Sequence, residues 1–500
     1  MPEAASSSTL WFMANLDEAG DLRPGDVDGD DAGHDEPRSR KGLVIALSII
    51  VISSVAIGVA AWQSSSSRAE WSPELIPLAQ FIEAERGLEF QRPVRMNTFD
   101  PAFLESELEA IEEELARMEE ELAEAEAAGE EIDEEDFDGL GSFEGVNTAL
   151  ELLGLSIDGS FDPSLIPDEQ RDFNAWFDPL NGEISVPDNR SFVELAPVIV
   201  HELVHALHLQ NGLSFTAVFE FDPDTPVDAF DLWASLSEGD AVRIEHAYLD
   251  QLADEERSAY EAATGLEFTG YRDPTFGHPW YTVGEPLVNS IVARGGQEAL
   301  DELMRTVASS ASTSTALWID PFDSGQLVVA ADLIELPDGA DEADGDVGAF
   351  GWFRVLAPLI GTPDAFDVVE GYAGDAFAAF DDNECARYAV FFDSGNDATE
   401  FDTAMSGLGA ETDQDDSNNS VTFDLCEALR DSELASNSVA MPVIVAQQLI
   451  THHLENGVAE EAAACAAIAQ AKTVPFDFSL ENFDGYDTFF DESAPFLSGC

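Results

Sequence analysis

The hydrophobic pattern divides the chain into segments of different kinds. Leu43 to Trp62 reads LVIALSIIVISSVAIGVAAW, an apolar run without a charge. A helix of that length crosses about 30 Å of hydrocarbon. Arg38, Arg40 and Lys41 stand before it, and Trp62 ends it where an interfacial ring belongs. Positive residues stay cytoplasmic, so the pattern predicts one transmembrane helix over 42–62 with the bulk of the chain outside. A cleaved signal peptide is the competing reading, with small residues at Val59-Ala60-Ala61. The long leader and long apolar run count against it. Residues 1–41 carry no apolar period and are expected to form a disordered cytoplasmic tail.

Outside the membrane the period becomes helical. Within 63–141, a Ser-rich linker precedes Leu75, Ile76, Leu78, Phe81 and Ile82, which predict a lead-in helix ending at Gly87. Ser72-Pro73 looks like its N-cap and first helical position. Glu89 to Val94 is expected to be extended. Leu104, Leu108, Ile111, Leu115, Met118, Leu122 and Ala125 then repeat at 4-3-4-3-4-3 spacing, with almost only Glu between them. This is a heptad seam. Like charges would flank a self-paired coil, so one acidic amphipathic helix laid on its own domain is the favoured form. Gly129 to Asp138 is an acidic loop.

The region 142–305 is mainly helical with a small sheet. Phe173 to Phe177, a Pro179-Leu180-Asn181-Gly182 turn and Glu183 to Pro187 predict a β-hairpin. A long apolar helix follows over Phe192 to Leu209. Further helices are expected at 228–250 and 286–304, the last interrupted at Gly295-Gly296. The remainder, 306–500, alternates strands and helices. Arg387–Asp393 and Val421–Cys426 are expected strands, and Met441–Glu455 an expected helix. The fold class is therefore α+β, with an α+β C-terminal region behind the helical domain.

Charge narrows the function classes. The 102 acidic residues face 20 basic ones, a formal net charge of -82. A nucleic-acid binder held by phosphate contacts needs a basic surface and is excluded. Docking on anionic lipid through a polybasic face is excluded as well. Self-repulsion of this size is screened at molar salt, where the Debye length is about 3 Å, so a salt-rich habitat is expected. An ordinary acidic extracytoplasmic protein is the plainer alternative. The four cysteines all lie in the last region, and proximity alone pairs Cys385 with Cys426 and Cys465 with Cys500. The expected topology puts them in an oxidising compartment.

One motif carries chemistry. His201-Glu202-Leu203-Val204-His205 is HExxH. On a helix, residues i and i+4 share a face, so both imidazoles can meet one Zn²⁺ at about 2.0–2.1 Å. Glu202 is offset and can act as general base on water. Composition predicts roughly 0.01 chance matches to this pattern. A catalytic zinc needs a third protein ligand. His208 lies about 10 Å along the axis from His201 and cannot share the ion on a straight helix. Glu238, in Ser235-Leu236-Ser237-Glu238-Gly239-Asp240-Ala241, is the better candidate, and Gly239 beside it would permit close helix–helix approach. Asp228 or Asp240 is a candidate to orient a ligand imidazole. Tyr281 or His278 is a candidate oxyanion donor, with an ordinary structural role favoured for each.

HELVHALHLQ followed by SLSEGDA resembles the gluzincin metallopeptidases, in particular a membrane-anchored bacterial group. Glu85-Arg86-Gly87-Leu88, Arg92-Pro93-Val94, Ala175 to Val186, Tyr281-Thr282-Val283-Gly284, Thr313-Thr315 and Gly371 to Asp375 are similar to further landmarks of that group, over about residues 70–400. The resemblance implies a zincin-like catalytic domain, Zn²⁺ as cofactor, His201, His205 and Glu238 as ligands, and Glu202 as base. A protein or peptide would be the substrate. This chain departs from the group in its acidic helix and its charge. A different class of function stays open: a membrane-tethered binding or structural protein with a vestigial or structural zinc site. An auto-inhibited protease, its cleft covered by the acidic helix, is a third reading.

Overall fold

Leu75, Leu78, Ala79 and Ile82 recur at helical spacing, and they form the buried face of α1 (Leu75–Arg86). Gly87 ends this helix at φ 69°, a conformation glycine adopts without strain. Ser72 does not cap it. The helix starts at Leu75, and Ser72 Oγ accepts the Met96 N–H at 3.1 Å instead. The extended segment expected over 89–94 forms further on, as β1 (Arg95–Phe99). The earlier amides are already engaged by side chains. Phe90 N–H donates to Glu83 Oε1 at 2.9 Å and Arg92 N–H to Gln210 Oε1 at 2.8 Å, while Pro93 has no N–H.

The computed structural model describes residues 70–101, 148–155, 175–214, 227–264, 279–309, 318, 333–429, 441–474 and 494–500, with short gaps in several of these ranges. Residues 1–41, the transmembrane helix expected over 42–62 and the acidic helix expected within 63–141 lie outside the described residues. So do His278, Thr313–Thr315 and the side chains of Asp228 and Tyr281.

The expected hairpin forms, with its first strand at Trp176–Asp178 rather than Phe173–Phe177; Phe173 and Asn174 lie outside the described residues. β2 (Trp176–Asp178) runs antiparallel to β3 (Glu183–Pro187), which pairs in parallel with β1 on its other side. Ile184 and Val186 of β3 are buried in one core with Leu195, Ile199, Leu203 and Leu207. Those four belong to α2 (Phe192–Gln210). Ser191 and Glu194 cap that helix reciprocally: Glu194 N–H donates to Ser191 Oγ at 3.4 Å and Ser191 N–H to Glu194 Oε2 at 2.8 Å. Among the described residues α2 alone is long and apolar enough to cross a membrane. Most of its apolar stretch, 61%, is buried inside the protein, as a core helix must be.

Next come α3 (Val227–Gln251), α4 (Asp254–Thr264) and α5 (Pro279–Ser309), the last broken at Gly296, where φ is 71°. Helices α3 and α5 touch at two glycines. A Cβ added to Gly239 would lie 2.2 Å from the carbonyl carbon of Gly284, so the two backbones are in direct contact. This is the close approach expected of Gly239.

The chain continues through α6 (Gly348–Ile360), α7 (Thr362–Val369), β4 (Tyr372–Phe380), β5 (Cys385–Phe392), α8 (Gly395–Gly407), β6 (Thr412–Asp415), β7 (Ser420–Leu425), α9 (Met441–Glu455), α10 (Glu460–Ala471) and α11 (Ala494–Leu497). The four strands form an antiparallel sheet in the order β4-β5-β7-β6. The fold is thus mixed α+β with two small sheets. One apolar cluster contains Leu232 and Leu287 together with Trp352, Tyr388 and Val443, so residues on both sides of position 305 share it. Ser290 Oγ on α5 donates to Gln447 Oε1 on α9 at 2.8 Å, and Gln447 Nε2 donates to the Trp318 carbonyl at 2.7 Å.

The disulfides are Cys385–Cys426 and Cys465–Cys500. The first ties the start of β5 to the residue after β7, across a sequence separation of 41. Replacing both of its cysteines by alanine is expected to cost about 2–4 kcal/mol. Denaturant unfolding reads this directly. An unmoved midpoint would mean that the sheet holds its register without the bridge.

Candidate metal centre

The four-residue step of HExxH puts His201 and His205 on one face of α2, one turn apart. Their Nε2 atoms stand 3.1 Å from each other. Glu238 enters from α3, its Oε2 3.1 Å from His201 Nε2 and 3.5 Å from His205 Nε2. Three ligand atoms from two helices therefore converge on one point, and among the described residues this is the one such group. Ligand atoms at about 2.0–2.1 Å from a tetrahedral ion lie about 3.3 Å from one another. The observed spacings bracket that value, so the donor set fits a metal ion. His208 stays out of the group, as its axial offset requires.

The histidines and carboxylates at this point also set one another's protonation. Burial by itself would lower the His201 pKa, but the carboxylates of Glu238 and Glu245 hold it up at about 10. Burial would raise the Glu238 pKa, but His205 and His201 hold it well below the usual carboxylate range. The two partners shift in opposite directions, as a buried ion pair does. Burial also pushes the Glu202 pKa up, in spite of the nearby imidazoles. One oxygen of Glu202, Oε2, accepts the Phe177 N–H of β2 at 2.7 Å. The hairpin thus anchors the carboxylate that follows the first histidine.

Residues behind the histidines set their orientation. His201 Nδ1 stands 3.3 Å from Glu245 Oε2, and Tyr260 Oη donates to the other oxygen of Glu245 at 2.9 Å. A metal-binding histidine typically gives its second N–H to such a carboxylate, which fixes its tautomer. Asp240, expected as one candidate for this place, instead accepts from His208 Nε2 at 2.9 Å. The reason is helical phase. Glu245 follows Glu238 by seven residues, two turns along the same face, while Asp240 is rotated away toward α1.

Asp240 belongs to a buried ion cluster. Arg86 of α1, only 1% exposed, pairs with Asp240 through Nε. Its Nη2 donates to Asp301 Oδ1 at 2.6 Å and its Nη1 to Gln297 Oε1 at 2.9 Å. Arg243 Nη2 reaches Asp240 Oδ1 at 2.6 Å and Gln297 Oε1 at 3.1 Å. Burial would raise the Asp240 pKa, but Arg86, His208 and Arg243 hold it far below the usual carboxylate range. Sequence reasoning gave no role to Arg86, Ser237, Glu245 or Tyr260. The seven-residue step from Glu238 to Glu245 was the available signal for Glu245. Arg86 was visible as part of Glu85-Arg86-Gly87-Leu88, but its partners lie 154 and 215 residues away. No protein-family model, curated protein or solved structure matches this chain.

Proposed function

We propose that this chain is a zinc-dependent peptidase of the gluzincin type, anchored in the cell membrane and hydrolysing peptide bonds outside the cytoplasm. The observation that carries the reading is the convergence of His201 Nε2, His205 Nε2 and Glu238 Oε2 at 3.1–3.5 Å, with Glu202 on the same helix. Two histidines and a glutamate are a donor set of catalytic zinc, one that leaves a coordination position for a reactant. The hairpin ahead of the histidine helix and the largely helical surroundings agree with a zincin-like domain. The two disulfides agree with an extracytoplasmic location. The single-pass topology, N-terminus inside, rests on the apolar run at 42–62 and the basic residues before it.

His201, His205 and Glu238 would hold the ion, which supplies Lewis acidity to polarise a carbonyl and to acidify water. Glu202 takes the proton of the attacking water and hands it to the leaving amine. Its raised pKa suits both halves of that transfer, since the group must accept a proton and release it again. The Phe177 amide keeps the carboxylate from rotating out of place. Glu245 keeps a proton on His201 Nδ1, so Nε2 is the nitrogen that binds.

Metal analysis of the purified protein, with peptide-library cleavage in high salt, tests this. One zinc per chain is expected, with metal-dependent cleavage, and both should vanish in His201→Ala. Bound zinc without cleavage of any peptide would sink the peptidase reading and favour the tethered binding protein.

A further inference from the structure

We infer that Ser237 is a positioning residue for the metal centre, its hydroxyl joining His205 to a buried His208–Asp240 pair that decides which His205 nitrogen faces the ion. The inference rests on the metal reading above and adds to it a residue that touches neither ion nor substrate.

Ser237 Oγ lies 3.3 Å from His205 Nδ1 and 3.4 Å from His208 Nδ1. A hydroxyl has one proton to donate. Between two ring nitrogens it must donate to one and accept from the other. The direction is set at the far end of the chain. Asp240 is fully buried and accepts from both guanidinium groups, Arg86 on Oδ2 and Arg243 on Oδ1. A carboxylate paired in this way is ionised and only accepts. His208 Nε2, 2.9 Å from Asp240 Oδ2, therefore carries a proton. Two arginines already balance Asp240, so the buried His208 ring is neutral and its Nδ1 is an acceptor. Ser237 then donates to His208, and its oxygen accepts the His205 Nδ1–H. His205 Nε2 is left bare, facing His201 Nε2 and Glu238 Oε2.

The two metal-binding histidines are thus oriented by different devices. His201 uses a carboxylate directly, while His205 uses a serine–histidine–aspartate relay that ends on Arg86 of α1. Ser237 precedes Glu238 in the chain, so one turn of α3 carries both a ligand and the group that orients another ligand. A hydroxyl is needed at 237 for the relay, and its methyl analogue cannot replace it.

The test is zinc affinity of the full chain by chelator competition, with the absorption spectrum of the cobalt-substituted protein as a second readout. Ser237→Ala is expected to weaken zinc by about 10–100-fold and to change the cobalt spectrum, with a lowered metal-free unfolding midpoint because the buried His208 Nδ1 loses its donor. Ser237→Thr, which keeps the hydroxyl, is expected to restore most of the affinity. Wild-type affinity in Ser237→Ala, or a Thr variant as weak as the Ala one, would overturn the relay while leaving the metal centre standing. A wild-type chain that binds no zinc would overturn the metal reading itself.

Discussion

A Glu202→Gln protein is expected to keep its metal and to lose peptide hydrolysis by about 10²–10⁴-fold, the usual contribution of a general base. The side chains are nearly the same size, and Glu202 is not among the three atoms that converge on the ion site. The amide oxygen of glutamine can still accept the Phe177 N–H that Glu202 Oε2 accepts at 2.7 Å, so the local structure should persist. What glutamine cannot do is take a proton from water and release it to the leaving amine. Metal content and turnover are therefore expected to separate in this variant, whereas both are lost together in His201→Ala. Turnover at the wild-type level in Glu202→Gln would remove Glu202 from the mechanism.

Gly239→Ala is expected to be strongly damaging for a single added methyl. The new Cβ would meet the Gly284 carbonyl carbon at 2.2 Å, its oxygen at 2.4 Å and the Glu285 nitrogen at 2.7 Å. All three are backbone atoms, so no side chain can rotate away, and the helices must part. Overpacking that forces backbone shifts costs about 1–3 kcal/mol, occasionally more. Gly284→Ala should do the same from the other side, where the Ser235 carbonyl oxygen lies at 2.3 Å. Glu238 is the neighbour of Gly239, so a shifted α3 also carries its carboxylate away from His201 and His205. Reduced zinc stoichiometry is expected along with a lowered unfolding midpoint. Gly407→Ala is the control, since a Cβ there meets nothing within 4 Å and alanine favours helix. A wild-type midpoint in Gly239→Ala would mean that the α3–α5 contact is slack.

The elements that could be foreseen are those whose cause is local. The apolar period of Leu195, Ile199, Leu203 and Leu207 builds α2 wherever the helix is placed. Glycines mark the end of α1 and the break in α5 because only the backbone at those positions is unusual. Strand β1 begins at Arg95, beyond the segment 89–94 that local pattern favours, because its boundary is set by which amides are already bonded. Those bonds reach to Gln210, which local pattern does not reveal. The capping role expected of Ser72 failed for the same reason, its hydroxyl being claimed by Met96 across the fold.

The amino-acid order alone picked out the three side chains that converge, His201, His205 and Glu238. HExxH places two imidazoles on one helical face by geometry, and Glu238 stood out beside a glycine on a second helix. The tertiary structure alone decided how those side chains are held. Glu245 behind His201, Ser237 and His208 behind His205, and Arg86 beneath Asp240 all depend on how α1, α2 and α3 cross. Helical period is a property of neighbouring residues and can be counted along a chain. A hydrogen bond between residues 154 positions apart exists only after packing has chosen one arrangement of helices among many.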